Sequence, residues 1–468
     1  MSLEYLSASA LAELVAGREV SSEELVALFV ERIERLEPEV NAYITVAPEA
    51  ALAEARSRDA ELAAGQRRGP LHGVPLALKD LFDTKGMRTT AGSRILRERV
   101  PDRDATTVAK LRAAGAVIIG KTNLNEFAAG GTTENLTFGD TLNPWDRSRI
   151  PGGSSGGSGT AVAAGLCAAA TGTDTGGSIR IPSALCGVVG LKPTFGRISC
   201  HGIFPLSMEQ DHPGPMTRTV RDAALLLEVM SGWDRADPRT VRRPVQRYTQ
   251  RLSKDVRGLR IGVDEGYINE GVTPEVRGAF DRAVDVLLDL GARLVEVEVP
   301  DVSEAREASL VIWRTEGALQ HEEWLETRPE DYNPGVRERF EKGLEISGID
   351  YARAQKTRRS VTRAFEMIFD EVDVLATPTC GIPAPRAGQD VVDAAGEDLN
   401  VLTALARFTR VFNLTGLPAI TVPCGFSDDG LPIGLQFVGA ALDETTILRA
   451  AYAYESATTW SRRKPPVD

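Results

Sequence analysis

The chain has 468 residues, 42% hydrophobic and 26% charged, and its 54 basic against 66 acidic residues give a net charge of −12. The acidic excess argues against a general affinity for nucleic acid or for an anionic membrane, and no stretch approaches the roughly 20 apolar residues of a membrane span. Five cysteines without a close pair and four histidines without metal-ligand spacing indicate neither a disulfide framework nor a zinc site. This spacing leads us to expect no metal, and because the N-terminus lacks the pattern of a signal peptide, we expect a cytoplasmic protein.

Helices and short strands alternate along the first 120 residues. Helical periodicity over residues 7–36 is followed by a short strand at 41–46 and a charged helix at 48–65. An apolar strand at 71–80 ends in a lysine and an aspartate, and a helix at 106–115 leads into a strand at 116–119. This order is typical of an α/β protein.

Two segments rich in glycine and serine, residues 151–160 and 172–182, flank a small apolar segment. The segment between them, residues 161–170, has no charged residue and is predicted to form a buried helix. Glycine allows a backbone to approach a ligand closely, and unpaired N–H groups in such turns can hold an anion or an oxyanion. A flexible linker is the alternative, but linkers do not normally flank an uncharged apolar segment.

The second half of the chain repeats the alternation of strands and helices. A basic, polar connector at 238–257 precedes a strand–helix–strand unit at 259–299, and residues 304–370 are largely helical and heavily charged. Further strands are predicted at 372–378, 419–423 and 434–438, before a final helix at 444–457. We therefore expect a mostly buried sheet between layers of helices.

A serine in these glycine-rich loops could act as a nucleophile if another group removes its proton. No histidine follows a nucleophile elbow, and each has a reasonable structural interpretation. A lysine can serve as the base where burial keeps its amine neutral. Lys79, Lys121 and Lys192 all lie at the ends of apolar strands, and their spacing does not choose among them.

Several long motifs resemble those of the amidase signature family of serine hydrolases, in the family's order and over nearly the whole chain. They are Lys79, Gly-Gly-Ser-Ser-Gly-Gly-Ser at 152–158, Gly-Gly-Ser-Ile-Arg at 176–180, Gly-Leu-Lys-Pro-Thr-Phe-Gly at 190–196, Asp-His-Pro-Gly-Pro-Met-Thr-Arg-Thr at 211–219, and Asn-Leu-Thr-Gly-Leu-Pro-Ala-Ile-Thr-Val-Pro at 413–423. The resemblance implies the α/β amidase signature fold, with a mixed β-sheet core sandwiched by helices on both faces. It also implies a single domain over residues 1–468, with a catalytic core at about 70–220 and a more variable helical region at about 300–370.

The resemblance further implies a Ser-cisSer-Lys triad that needs no cofactor. In this triad Ser178 is the nucleophile, Ser154 is the bridging serine after a cis peptide bond, and Lys79 is the base. The oxyanion would bind backbone N–H groups of Thr175, Gly176, Gly177 and Ser178. The remaining residues implied are three supporting side chains, Ser155, Asp174 and Arg180, and a substrate-lining loop, Phe127, Ala128, Ala129 and Gly130, whose alanines leave room for a bulky or aromatic group.

The function expected from the resemblance is hydrolysis of carboxylic amide C–N bonds through an acyl-enzyme on Ser178. Esters and carbamates pass through the same intermediate, which makes the chain a urethanase candidate. One alternative is the glutaminase A subunit of a tRNA-dependent amidotransferase, and another is a non-enzymatic binding module. The expected partners are a small-molecule amide, ester or carbamate, water and a second copy of the chain in a homodimer, with no direct contact to nucleic acid or membrane.

Overall fold

The structure is a computed structural model that describes residues 2–467. Its strands are β1 (Tyr43–Val46), β2 (Pro75–Lys79), β3 (Val117–Thr122), β4 (Ala169–Asp174), β5 (Val189–Lys192), β6 (His212–Thr217), β7 (Arg260–Val263), β8 (Arg293–Glu296), β9 (Val374–Pro378), β10 (Val391–Asp393), β11 (Asp398–Asn400), β12 (Ala419–Phe426) and β13 (Pro432–Val438).

The helices precede, connect and follow these strands. They are α1 (Ala8–Ala16), α2 (Ser22–Val40), α3 (Pro48–Ala63), α4 (Thr106–Ala113), α5 (Gly156–Ala163), α6 (Arg180–Cys186), α7 (Val220–Met230), α8 (Glu265–Asn269), α9 (Pro274–Asp289), α10 (Ser303–Thr327), α11 (Pro334–Leu344), α12 (Gly348–Glu371), α13 (Val401–Ala406), α14 (Val411–Leu414) and α15 (Glu444–Ala457).

Eleven of the described strands form one mixed sheet in the order β1-β3-β2-β4-β6-β5-β12-β13-β9-β7-β8. Strand β2 pairs in parallel with β3 and β4, and β7 pairs in parallel with β8 and β9. In the middle of the sheet the neighbouring strands are antiparallel, β4 with β6, β6 with β5, β5 with β12 and β12 with β13. The remaining two strands, β10 and β11, form a separate antiparallel hairpin. The expected mixed sheet is confirmed.

Both faces of the sheet are buried at β2, as its side chains illustrate. Leu76 and Leu78 belong to one hydrophobic cluster, whereas Ala77 between them belongs to another, together with side chains of α2 and α5. Because successive side chains of a strand point to opposite faces, these clusters lie on opposite sides of the sheet. Every residue of β2 is buried, so a lysine at its end is held away from water.

The predicted helix at residues 161–170 is wrong in its position. The helix α5 begins inside the glycine- and serine-rich segment, at Gly156, and ends at Ala163. Gly165 then takes a positive φ of 68°, a conformation that glycine adopts without the steric cost other residues pay, and Ala169 already starts strand β4. The chain therefore passes from helix α5 to strand β4 within residues 161–170, the segment predicted to be a single helix.

A further strand, β6, runs antiparallel to β4 and includes two prolines. It was not expected from the sequence. In the part of the chain that the structure describes, no helix is long and apolar enough to cross a membrane.

Candidate active site

Lys79 is the last residue of β2, and its side chain is fully buried. Its Nζ donates hydrogen bonds to Ser154 Oγ at 2.8 Å and to Thr173 Oγ1 at 2.8 Å. Thr173 lies on the neighbouring strand β4, which pairs with β2. The sheet thus brings together a lysine and a serine that are 75 residues apart in sequence.

The structure distinguishes Lys79, Lys121 and Lys192, the three candidate bases among which the sequence does not choose. Lys121 Nζ lies 3.5 Å from Asp80 in a fully buried ion pair and also donates to Thr89 Oγ1. Lys192 Nζ donates to the carbonyl of its neighbour Pro193. Among residues 2–467, only Lys79 of these three donates a hydrogen bond to a serine hydroxyl, so it is the one placed to exchange a proton with a serine.

Burial lowers the pKa of Lys79 to about 7, although the nearby carboxylates of Asp211 and Asp174 oppose this shift. An ammonium loses its hydration when it is buried, and this loss favours the neutral amine. A substantial fraction of the Lys79 amine is therefore neutral near pH 7, as a proton acceptor must be.

Ser154 and Ser178 lie on adjoining loops. The Ser155 N–H donates to the carbonyl oxygen of Ser178 at 3.2 Å, and the Gly153–Ser154 peptide bond is cis. The Ser155 hydroxyl donates to the carbonyl oxygen of Thr173 at 3.2 Å. Ser178 is 8% exposed, and within residues 2–467 its hydroxyl forms no hydrogen bond. A backbone hydrogen bond joins the two loops. The hydroxyls of Ser154 and Ser178 are not hydrogen-bonded to each other in this structure.

Asp174 and Arg180 fix the turn that carries Ser178. Arg180 donates from Nε and Nη2 to the two carboxylate oxygens of Asp174, each at 3.0 Å, and both side chains are fully buried. Burial alone would raise the pKa of Asp174, but Arg180, together with Lys192 and Asn413, holds that pKa well below its usual range. The carboxylate is therefore charged and bridges both ends of the turn.

The turn from Thr175 to Ser178 contains the backbone donors expected for an oxyanion. Gly177 N–H differs from the others because it donates to Asp174 Oδ1 at 2.6 Å. No internal acceptor in residues 2–467 takes the N–H of Thr175, Gly176 or Ser178. These three groups, rather than all four, are thus free to bind a developing negative charge.

The Phe127–Gly130 loop, which the resemblance assigns to the lining of the substrate pocket, is largely buried in the structure. The Phe127 ring is fully buried and packs against the rings of Phe204, His321, Trp324 and Tyr332, so it fills an aromatic cluster rather than lining open space. Ala128 and Ala129 are 4% and 2% exposed, and Gly130 is half-buried.

Several polar residues support the site without having been recognised from the sequence. They are Thr173, which binds Lys79; Asn413, which donates to Asp174; Gln436, which accepts from Arg180; and Thr409, which donates to the Gly176 carbonyl at 2.8 Å. Asn413 falls inside a motif quoted above and Thr173 inside the glycine- and serine-rich segment 172–182, whereas Gln436 lies in a strand without a local signal. No cluster of three His, Cys, Asp or Glu side chains among the described residues could hold a metal ion.

Known proteins are similar to this chain over almost its whole length. Two subunits A of glutamyl-tRNA(Gln) amidotransferase, from Chloroflexus aggregans and Moorella thermoacetica, are each 43% identical to it. The first alignment covers 99% of this chain and 98% of the relative, and the second covers 99% of both. The structure of 6-aminohexanoate cyclic dimer hydrolase in complex with substrate is similar at a TM-score of 0.91, with 33% identity over 100% of both chains.

These relatives correct one expectation and establish the family. Because the two sequence relatives are subunits of a larger enzyme, the expectation that the partners are limited to small molecules, water and a second copy of the chain is wrong. The Amidase family model matches residues 24–448. The chain is an enzyme that acts on carbon–nitrogen bonds other than peptide bonds, and it belongs to the amidase signature family.

Proposed function

We propose that the chain releases ammonia from a primary carboxylic amide of the glutamine kind, through an acyl-enzyme on Ser178, as the A subunit of an amidotransferase. The observation that carries the chemistry is the buried Lys79–Ser154 hydrogen bond, with a lysine pKa lowered to about 7. The assignment as a subunit is supported by the two amidotransferase relatives, whose similarity spans both chains almost completely.

The proposed reaction begins when the neutral Lys79 amine takes the proton of Ser154, which in turn takes the proton of Ser178. Ser178 Oγ attacks the amide carbon, and the N–H groups of Thr175, Gly176 and Ser178 stabilise the oxyanion. Ser154 then gives a proton to the leaving nitrogen and takes one back from the protonated Lys79, the C–N bond breaks and ammonia departs. Water releases the acyl group by the same relay. Ser178 must approach Ser154 when substrate binds, since catalytic hydrogen bonds are often formed only in the complex.

Esters and carbamates are proposed as secondary substrates of the same serine. Each forms an acyl-enzyme by attack at its carbonyl carbon and differs from an amide in the leaving group. Urethane cleavage is therefore an expected side activity, which requires only that the leaving group fit beside Ser178.

A second candidate function is that of a free-standing hydrolase of larger amides. The observation in its favour is the similarity to 6-aminohexanoate cyclic dimer hydrolase over all of both chains. Such an enzyme would turn over its substrate without another subunit.

The two candidates are separated by measuring ammonia and amine release from glutamine, an anilide, a linear amide and an aryl carbamate. We expect ammonia from glutamine, stimulated by co-expressed amidotransferase subunits, and no release by Ser178→Ala. Rapid cleavage of the larger amides by the isolated chain, without activity on glutamine, would favour the second candidate. Undiminished turnover by Ser178→Ala would contradict both.

A further inference from the structure

The carboxylate of Asp211 contacts the turn that carries Ser178, although Asp211 is not part of the proposed triad. Asp174 at the end of β4 pairs with His212 of β6. The next residues of the two chains, Thr175 and Asp211, consequently lie opposite each other, and side chains placed in this way interact across antiparallel strands. The Thr175 hydroxyl donates to Asp211 Oδ1 at 2.6 Å, and Asp211 is 8% exposed. A buried carboxylate is therefore bound to the first residue of this turn.

Asp211 is itself held in place by the loop that precedes β6. The backbone N–H groups of Leu206 and Ser207 donate to Asp211 Oδ2 at 2.8 Å and 3.1 Å. Gln210 Nε2 donates to the carbonyl oxygen of Ser309 on α10 at 3.0 Å, and the Ser309 hydroxyl donates back to Gln210 Oε1 at 2.6 Å. Because both carboxylate oxygens are used and the loop is tied to a long helix, Asp211 is a fixed point for the turn.

The charge of Asp211 has no salt bridge. No lysine or arginine of residues 2–467 forms an ion pair with it, whereas Asp174 is paired with Arg180. Burial raises the pKa of Asp211, and the hydrogen bonds that it accepts, above all the one from Thr175, oppose this shift. In its charged form Asp211 also counteracts the lowering of the Lys79 pKa, as Asp174 does to a lesser degree. A buried carboxylate of this kind, beside the proposed base, is a candidate functional group.

The hydrogen bond to Asp211 fixes a residue that supplies one of the proposed oxyanion donors. The N–H of Thr175 has no internal acceptor in the described part of the chain, and the two residues that follow are glycines, without side chains that could hold the turn. Hydrogen bonds to a carboxylate are about twice as strong as those between neutral groups. An oxyanion donor stabilises a transition state best when it is in place before the charge develops.

We propose that Asp211 is a positioning residue of the reaction, which holds Thr175 so that the N–H groups of the turn are aligned to receive the oxyanion. This inference rests on the proposed function, because the oxyanion arises when Ser178 attacks an amide. The triad and the turn supply the reacting groups. The anchor that keeps the turn in position comes from a separate loop and, through that loop, from α10.

Thr175→Val removes the hydroxyl that donates to Asp211 and keeps the size of the side chain. We expect kcat for ammonia release from glutamine to fall about 10- to 100-fold, because an oxyanion donor loses its alignment, while KM changes by less than about threefold. Thr175→Ser retains the hydroxyl and should keep kcat within about fivefold of the unmodified chain. Equal kcat values in Thr175→Val and the unmodified chain would overturn the proposal.

Asp211→Asn keeps the shape of the side chain and removes its charge. The new amide group would confront the two backbone N–H groups that donate to Asp211, so kcat should fall at least as far as in Thr175→Val. Loss of the negative charge also disfavours the Lys79 ammonium, so the rising limb of kcat/KM should move to lower pH. Asp174, the other carboxylate that acts on Lys79, is unchanged. The limb should move less in Thr175→Val, which keeps the carboxylate. A limb that stays in place in a folded Asp211→Asn enzyme would count against the role of Asp211.

The matched control is an exposed hydrogen bond of the same kind. At the start of α12 the Ser347 hydroxyl donates to Asp350, and Asp350→Asn should change neither kcat nor the position of the limb. Circular dichroism checks the fold of each variant. If Asp211→Asn does not fold, the comparison of Thr175→Val with Thr175→Ser decides.

The rate at which a fluorophosphonate labels Ser178 tests the turn without relying on glutamine as the substrate. Labelling should be slower in Thr175→Val than in Thr175→Ser and the unmodified chain. Labelling of Ser178 at one rate in all three would overturn the role of Asp211 alone. No labelling of the unmodified chain and no ammonia from glutamine would instead refute the proposed function.

Discussion

Lys79 can act as a base only while its amine is neutral, and this condition sets the pH dependence of the proposed reaction. The folded-state pKa of about 7 lies below the ordinary value of 10.5 because the amine is buried. Raising the pH through 7 therefore deprotonates Lys79 and increases the active fraction.

We expect kcat/KM to rise with pH along a limb with an apparent pKa near 7 and then to level off. Lys79→Arg should lose about 10²- to 10⁴-fold in kcat, since an arginine stays protonated and cannot accept the proton. Steady-state rates between pH 5.5 and 9.5 measure the pH dependence of kcat/KM and the loss of kcat in Lys79→Arg. An activity that falls as the pH rises from 6 to 8 would contradict a lysine base, as would an active Lys79→Arg enzyme.

The buried charge of Asp174 is balanced by the charge of Arg180. Removing one partner of such a pair leaves an uncompensated charge, so Asp174→Asn should lower the free energy of unfolding by about 3–5 kcal/mol. Urea denaturation measures the loss. Glu366→Gln breaks an exposed pair with Arg363 and should cost less than about 1 kcal/mol. Similar losses in the two variants would show that Asp174 does not hold the turn.

At the scale of elements, the turn between β4 and α6 depends on Gly177. Its φ is 130°, and a Cβ there would lie 2.3 Å from Thr409 Oγ1 and 2.6 Å from Ile181 Cδ1. Gly177→Ala must therefore move either the turn or the segment that contains Thr409. Such a displacement moves Ser178 and the N–H groups beside it.

We expect Gly177→Ala to remain folded but to lose about 10²-fold in kcat, as a misplacement near 1 Å can cause. The matched control is Gly348→Ala at the start of α12, where a Cβ would meet no atom within 4 Å. Circular dichroism and kcat are the measurements. Full activity of Gly177→Ala would contradict the role given to the turn.

The elements also show which local patterns could be predicted. The strand β2 was evident from its apolar run, and α9 and α15 from their helical periodicity. Strand β6 was missed because prolines cannot donate to a sheet and argue against a strand. The end of α5 was misplaced because alanine-rich sequence on either side of Gly165 hides the break.

At the scale of the whole molecule, the sequence identified the proposed triad because its residues lie in local motifs. Asn413 lies in such a motif and Thr173 in the segment 172–182, but their contacts with Lys79 and Asp174 depend on the arrangement of β2, β4 and α14. The division into a catalytic core at about 70–220 and a variable region at about 300–370 stays a prediction.

Reaction of the whole chain with a fluorophosphonate, followed by intact-mass measurement and peptide mapping, tests the central claim most directly. A lysine-activated nucleophile at position 178 predicts one adduct per chain, located on the peptide that contains Ser178. The adduct should be absent from Ser178→Ala and should form much more slowly on Lys79→Ala. Labelling of Ser178→Ala at the rate of the unmodified chain, or no dependence of the rate on Lys79, would contradict the account.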